Sequence, residues 1–305
     1  MTNPASAPTY RSGTQSAPAA GATAQERAVA LSFLQDLAKE VSDGTVDLPC
    51  FPDVVVRISH SLADPHTTSD RLVTIVGAEP RLAARILQTA NSAAFNSSGK
   101  PLTDLRSAVT RLGHQMIQGT AMSYAMQHMR HEASLRSIAK RLTDLWETSI
   151  AVASISKIVA ERTKVPPDQA FLTGLCHGIG NLYVMARGAS LGEDLAGAAS
   201  WTDLVAGWQA SIGKAILQSW GFSEDMCDAV GDQRDLDRRW KHAATLTDVL
   251  IASVLLAEAL KTPVPRSIQT EGVNAFLIIG LTPNDCAGIL DLAEAQIRLV
   301  REALL

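Results

Sequence analysis

The chain has 305 residues, enough to bury a sizeable core in one large domain or two closely packed ones. Apolar residues make up 46% and charged residues 19%, while aromatics are scarce at 5% and Ala and Leu abound, a balance that favours helices over a β-sandwich. The net charge of −4 supplies no whole-molecule field that would draw the chain to nucleic acid or an anionic membrane.

Residues 1–24 are mostly Ala, Ser, Thr, Pro and Gly with Arg11 as the single charge, so a disordered tail is expected. A lead-in helix follows over 25–44, with Leu31, Leu34, Leu37 and Val41 as its apolar stripe and Ser42-Asp43-Gly44 as its breaker. The stiff segment Leu48-Pro49-Cys50-Phe51-Pro52 then leads into a helix carrying Val54, Val55, Ile58 and Leu62, which Asp64-Pro65 ends. A short helix is predicted over 69–76. Glu79-Pro80 opens the next, with Pro80 in its first turn, Leu82, Ile86 and Ala90 inward, and Arg81, Arg85 and Gln88 outward. Ala108, Val109 and Leu112 run to Gly113, and an apolar segment continues from Met116 to Met129.

The second half begins near Ser134. Leu145–Val159 is apolar on most sides, which marks a central helix, and Pro166-Pro167-Asp168 starts the helix that carries His177. Further helices are expected over 200–219, 223–233, 243–261 and 284–304, and Ala275–Ile279 reads as a buried helix or connector. No alternating run demands a strand. The expected fold is all-α.

Cys50, Cys176, Cys227 and Cys286 are scattered without a CxxC pair, so buried reduced thiols are expected, and with them a cytoplasmic location. No run approaches the ~18 apolar residues of a membrane span. There is no GxSxG, no HExxH and no phosphate-cradling glycine loop.

Several landmarks occur in one order. They are Leu48-Pro49-x-x-Pro52, Ala63-Asp64-Pro65, Glu79-Pro80 with Ala90-Asn91-Ser92, and Ala108-x-x-x-Leu112-Gly113. After them come Leu145-Trp146-x-x-Ser149, Ala170-Phe171-x-x-Gly174-Leu175-x-His177-x-Ile179-Gly180, and Leu281-Thr282-Pro283. Together they resemble the HDOD family, bacterial helical domains related to the HD phosphohydrolases, over roughly residues 45–300. Glu79 stands where the family usually has Asp. The resemblance implies two packed helical bundles, about 45–133 and 134–305, the second resembling an HD-superfamily domain. It also implies a part in bacterial signalling or regulation.

In the HD superfamily an adjacent His-Asp pair and further His and Asp side chains hold a divalent metal. By resemblance, those positions fall here on Thr148, His177, Gly178, Gln209 and Gln233, with Glu258 as a final acidic residue. Only His177 and Glu258 keep donor chemistry, and Arg234 would add a cation where the metal should sit. No metal or cofactor is therefore expected, and no hydrolysis by metal-activated water. His177 reads first as a core histidine hydrogen-bonded to a neighbour, and Gly174 and Gly178 as small residues on one helix face that admit another helix.

Asn91-Ser92 reads first as a helix terminator. The resemblance also makes Asn91, Ser92, His177 and Arg234 candidates for a pocket or partner-binding surface. The basic runs Arg130, His131, Arg136, Lys140, Arg141 and Arg234, Arg238, Arg239, Lys241, His242 are interleaved with acids and read as solvated faces. Direct nucleic-acid binding is not expected from them. Trp201, Trp208, Trp220 and Trp240 read as core, with an exposed aromatic anchor for a partner as the alternative. The expected protein is a non-catalytic regulator with signalling proteins as partners. The rivals are a sensor that binds a nucleotide in the old pocket and a weak metal-dependent phosphodiesterase.

Overall fold

The computed structural model describes residues 24–43, 46, 48–96, 99–190, 207–238, 243–262 and 270–304, and every regular element among them is helical. The expected tail therefore lies outside the described residues, apart from Ala24, as do Trp201, Trp240, Arg239, Lys241 and His242. No helix among the described residues is long and apolar enough to cross a membrane.

The first bundle contains α2 (Asp53–Ala63), α3 (Ser69–Gly77), α4 (Pro80–Asn91) and α5 (Leu105–His131). Its starts follow local chemistry. Thr68 accepts from the Arg71 N–H to cap α3, Asp104 accepts from the Ser107 N–H to cap α5, and Pro80 gives up no hydrogen bond in the first turn of α4. Leu82, Ile86 and Ala90 are fully buried along α4, and each large side chain of this kind contributes about 1.5–3 kcal/mol. The segment Leu105–His131 is two helical stretches joined by a kink at Gly113, whose φ +71° and ψ 172° are non-helical and favour glycine.

A 3₁₀ turn (Ala133–Ile138) leads to α6 (Ala139–Ala160), the central helix. After it come α7 (Pro167–Cys176), α8 (Ile179–Ser190), α9 (Gln209–Ser219), α10 (Glu224–Gly231) and α11 (Leu246–Ala259), of which α7 and α11 pack directly on α6. The short α12 (Asn274–Ile279) and α13 (Pro283–Leu304) complete the chain. A reciprocal Thr245–Asp248 box caps α11. A second box, Thr282–Asp285, caps α13, and its hydrogen bonds, with Arg162 2.7 Å from Asp285, hold that carboxyl down at about 2.

One continuous core joins the bundles. Phe51 stacks on Trp220 with ring centroids 4.7 Å apart, and the His60 Nε2–H donates to the Ser219 carbonyl at 2.9 Å. The end of α13 is tied to the first bundle. Ser123 Oγ and Gln127 Nε2 donate to the Leu304 carbonyl at 2.6 and 2.8 Å, and Thr89 Oγ1 donates to the Ala303 carbonyl at 3.1 Å. These side chains satisfy carbonyls that a helix end leaves without intrahelical partners.

The lead-in helix, α1 (Ala24–Ser42), differs from expectation on its buried face. Leu31 is 58% exposed and Phe33 is buried instead, while Leu37 is buried as expected and the side chains of Leu34 and Val41 lie outside those described. Although α1 precedes the first bundle, it docks on the second: Glu40 accepts from the Tyr183 hydroxyl at 3.0 Å and pairs with Arg187, and Phe33 lies 5.9 Å from the Tyr183 ring.

Candidate functional site

The helix expected through Leu175–Asn181 is broken. α7 ends at Cys176, His177 and Gly178 form a corner, and α8 starts at Ile179. Gly174 and Gly178 therefore do not share one helix face, and each makes its own close approach. A Cβ on Gly174 would lie 2.7 Å from the Ala153 Cα on α6, whereas one on Gly178 would lie 2.7 Å from Leu145 Cδ1. The tightest crossing is elsewhere. A Cβ on Gly180 would run into the Gln209 carbonyl, and Gly180 and Gly213 let α8 and α9 cross almost backbone to backbone.

This corner gathers the five positions of the HD-like set. The His177 ring lies 2.7 Å from the Gly174 carbonyl, which can only accept, so Nδ1 carries the proton and Nε2 keeps a lone pair. Burial pushes its pKa down to about 4, and the nearby Lys261 ammonium pushes the same way, against the Gly174 hydrogen bond. Its imidazole is therefore neutral at physiological pH. Gln233 Nε2 donates to the His177 and Val230 carbonyls at 3.1 and 2.8 Å. Gln209 bridges Asn181 and Arg234: its Nε2 donates to Asn181 Oδ1 at 3.4 Å and its Oε1 accepts from Arg234 Nη2 at 3.2 Å. Thr148 Oγ1 donates to the Asp144 carbonyl at 2.8 Å and accepts from Lys261 Nζ at 3.1 Å.

Lys261 is the residue that sequence reasoning missed. It lies 113 positions from Thr148, and the available signal was its place three residues beyond Glu258 at the end of α11. Glu258 itself is exposed, and the group that reaches across to Thr148 is the ammonium. The set thus contains one neutral imidazole, three uncharged hydrogen-bonding side chains, a glycine and two flanking cations. These residues do not fit a divalent metal, which wants several anionic or imidazole donors and no adjacent ammonium. Among the described residues no three His, Cys, Asp or Glu side chains gather to hold one.

Beneath Gly178 lies a cavity of about 10 Å³, bounded by Met122, Leu145, Trp146, Ser149 and Leu182 among others. That is room for about one water. Trp146 Nε1 is buried there without a hydrogen-bond partner.

The structure does not bring Asn91 and Ser92 into this set by any hydrogen bond. Asn91 forms a two-way clip on Leu102, donating to its carbonyl at 2.8 Å and accepting from its N–H at 2.7 Å, while Ser92 Oγ donates to the Thr89 carbonyl at 2.7 Å. Both hold the turn after α4. Of the basic runs, His131, Arg136 and Lys140 are exposed as a solvated face requires, whereas Arg238 departs from one by pairing with buried Asp248 at 3.3 Å. Trp220 is core and Trp208 is 49% exposed.

The HDOD domain profile matches residues 48–236. No curated protein matches the chain significantly. Among solved structures, a protein from Shewanella amazonensis provisionally named a metal-dependent phosphohydrolase superposes with a TM-score of 0.64 at 24% identity, covering 90% of this chain and 100% of its own. An HDOD domain protein of unknown function from Geobacter sulfurreducens gives 0.59 at 24% identity, covering 90% and 98%. A protein from Marinobacter aquaeolei provisionally named for signal transduction gives 0.59 at 17% identity, covering 90% and 65%. At these identities the likeness is one of fold.

Proposed function

The chain belongs to the HDOD domain family, and on that premise we propose that it is a non-catalytic regulatory protein of bacterial signalling that works through contacts with other proteins. The observation that carries this reading is the Lys261–Thr148 hydrogen bond at 3.1 Å beside neutral His177. An ammonium there opposes a divalent cation electrostatically, and the single imidazole lone pair cannot replace a ligand set.

Elemental analysis of the purified protein, together with turnover of a generic phosphodiester in added Mn²⁺, tests the reading. The expected result is well under one equivalent of metal and no turnover above buffer. About one equivalent of Mn, Fe or Zn, or turnover abolished by His177→Ala, would overturn it. The cations Lys261 and Arg234, exposed side by side with this corner, favour a second reading, a sensor for an anionic nucleotide. Melting shifts against a panel of nucleotides and cyclic dinucleotides separate the two, since only the sensor gives a shift that Lys261→Met removes.

A further inference from the structure

The last helix is apolar on two opposite faces. Its inner face places Cys286, Ile289, Leu290, Ala293, Ile297 and Val300 in the core. On the outer face, Gly288, Leu292, Ala295 and Leu299 fall within an arc of about 60° at ~100° per residue. Leu292 is 62% and Leu299 39% exposed, and a Cβ on Gly288 would meet nothing. Leucines exposed in this way on a regular stripe are unfavourable unless something covers them.

We propose that this face of α13 pairs antiparallel with the same face of a second copy of the chain. The charges select that occupant. The charged side chains of this helix are Asp285, Asp291, Glu294, Arg298, Arg301 and Glu302. Asp285 and Arg301 already pair with Arg162 and Glu147, which leaves Asp291 and Arg298 along one edge of the stripe. Through a two-fold axis at Ala295, Leu292 of one copy comes within one residue of level with Leu299 of the other, and Asp291 of one within one residue of level with Arg298 of the other. Both matches come from one register, and a two-fold interface repeats each of them. A parallel two-fold would carry this edge to opposite sides of the seam and leave Asp291 and Arg298 without each other. The small side chains of Gly288 and Ala295 let the helix axes approach closely at the centre.

Sedimentation equilibrium of the full chain over a range of concentrations tests the proposal. A reversible monomer–dimer equilibrium is expected. Asp291→Arg and Arg298→Asp should each raise the dissociation constant about tenfold, because each creates two like-charge contacts per dimer. The double variant Asp291→Arg/Arg298→Asp re-pairs opposite charges and should return to within about threefold of the parent. Leu292→Asp/Leu299→Asp should be monomeric, and recovery in the charge-swapped double variant shows that loss in the singles is not misfolding. A monomer at every concentration, or a dimer indifferent to both single charge changes, would refute it.

Discussion

Gly174→Ala sets helix propensity against packing, and the structure decides which prevails. The new methyl group would lie 2.7 Å from the Ala153 Cα, 2.9 Å from the Ala153 N and 2.9 Å from Ser156 Oγ. Carbon atoms prefer about 3.5–4.0 Å, so α6 and α7 must part by roughly 1 Å. Two of the three obstacles are backbone within a regular helix, which no rotamer change can move. Alanine favours the helix by about 1 kcal/mol, while overpacking costs about 1–3 kcal/mol and belongs at or above the upper end here. The net expectation is a loss of about 2 kcal/mol, read in urea titrations followed by far-UV circular dichroism as a lower midpoint with unchanged slope. Gly178→Ala is the control. Its nearest neighbour is Leu145 Cδ1, the mobile end of a side chain, so the loss should stay below about 1 kcal/mol. A Gly174→Ala protein as stable as the parent would show that α6 and α7 are not in backbone contact.

His177 should titrate near 4 by NMR rather than near the usual ~6.5. Because the folded-state pKa is lowered, its contribution to stability is complete above about 6.5 and falls as pH drops towards 4; an ordinary midpoint would refute the buried neutral ring. Burial holds the thiols of Cys176, Cys227 and Cys286 up at about 12, 11 and 11. A thiol reagent should therefore label at most half-buried Cys50 in the native state and all four after unfolding, whereas fast native labelling of a second cysteine would contradict this core. Glu40→Gln weakens the pair with Arg187 that holds α1, and should cost about 1–2 kcal/mol and raise hydrogen exchange selectively over 24–42. Unchanged exchange there would mean that Phe33 and Leu37 dock the helix alone.

Local signals carried most of the fold. Pro80, Pro167 and Pro283 start helices, and the spacing of Leu82, Ile86 and Ala90 places the inward face of α4 correctly. Gly113 was readable as an interruption, and its non-helical backbone divides the helical stretches on either side of it. Local pattern failed where distant partners decide. Leu31 fits the stripe of α1 as well as Leu37 does, but the docking surface on α8 selects Phe33 and Leu37. That Gly178 cannot ligate was legible because a glycine offers no donor side chain in any fold. Lys261 was not, because its meaning depends on Thr148 in another helix. The corner at His177–Gly178 was likewise hidden, since nothing in Leu175–Asn181 resembles a strong helix stop.

The clamp on the end of α13 bears on the order in which the chain can be completed as it is made. Thr89 and Ser123 are fully buried, yet the carbonyls they bind belong to Ala303 and Leu304. At ~5–20 residues per second, the ribosome needs roughly 10–35 s after His131 to deliver Leu304. Throughout that interval the first bundle has its helices but lacks the acceptors that these hydroxyls will use. It can collapse early and still cannot lock, so a nascent first bundle should remain open to chaperones until α13 arrives and closes it.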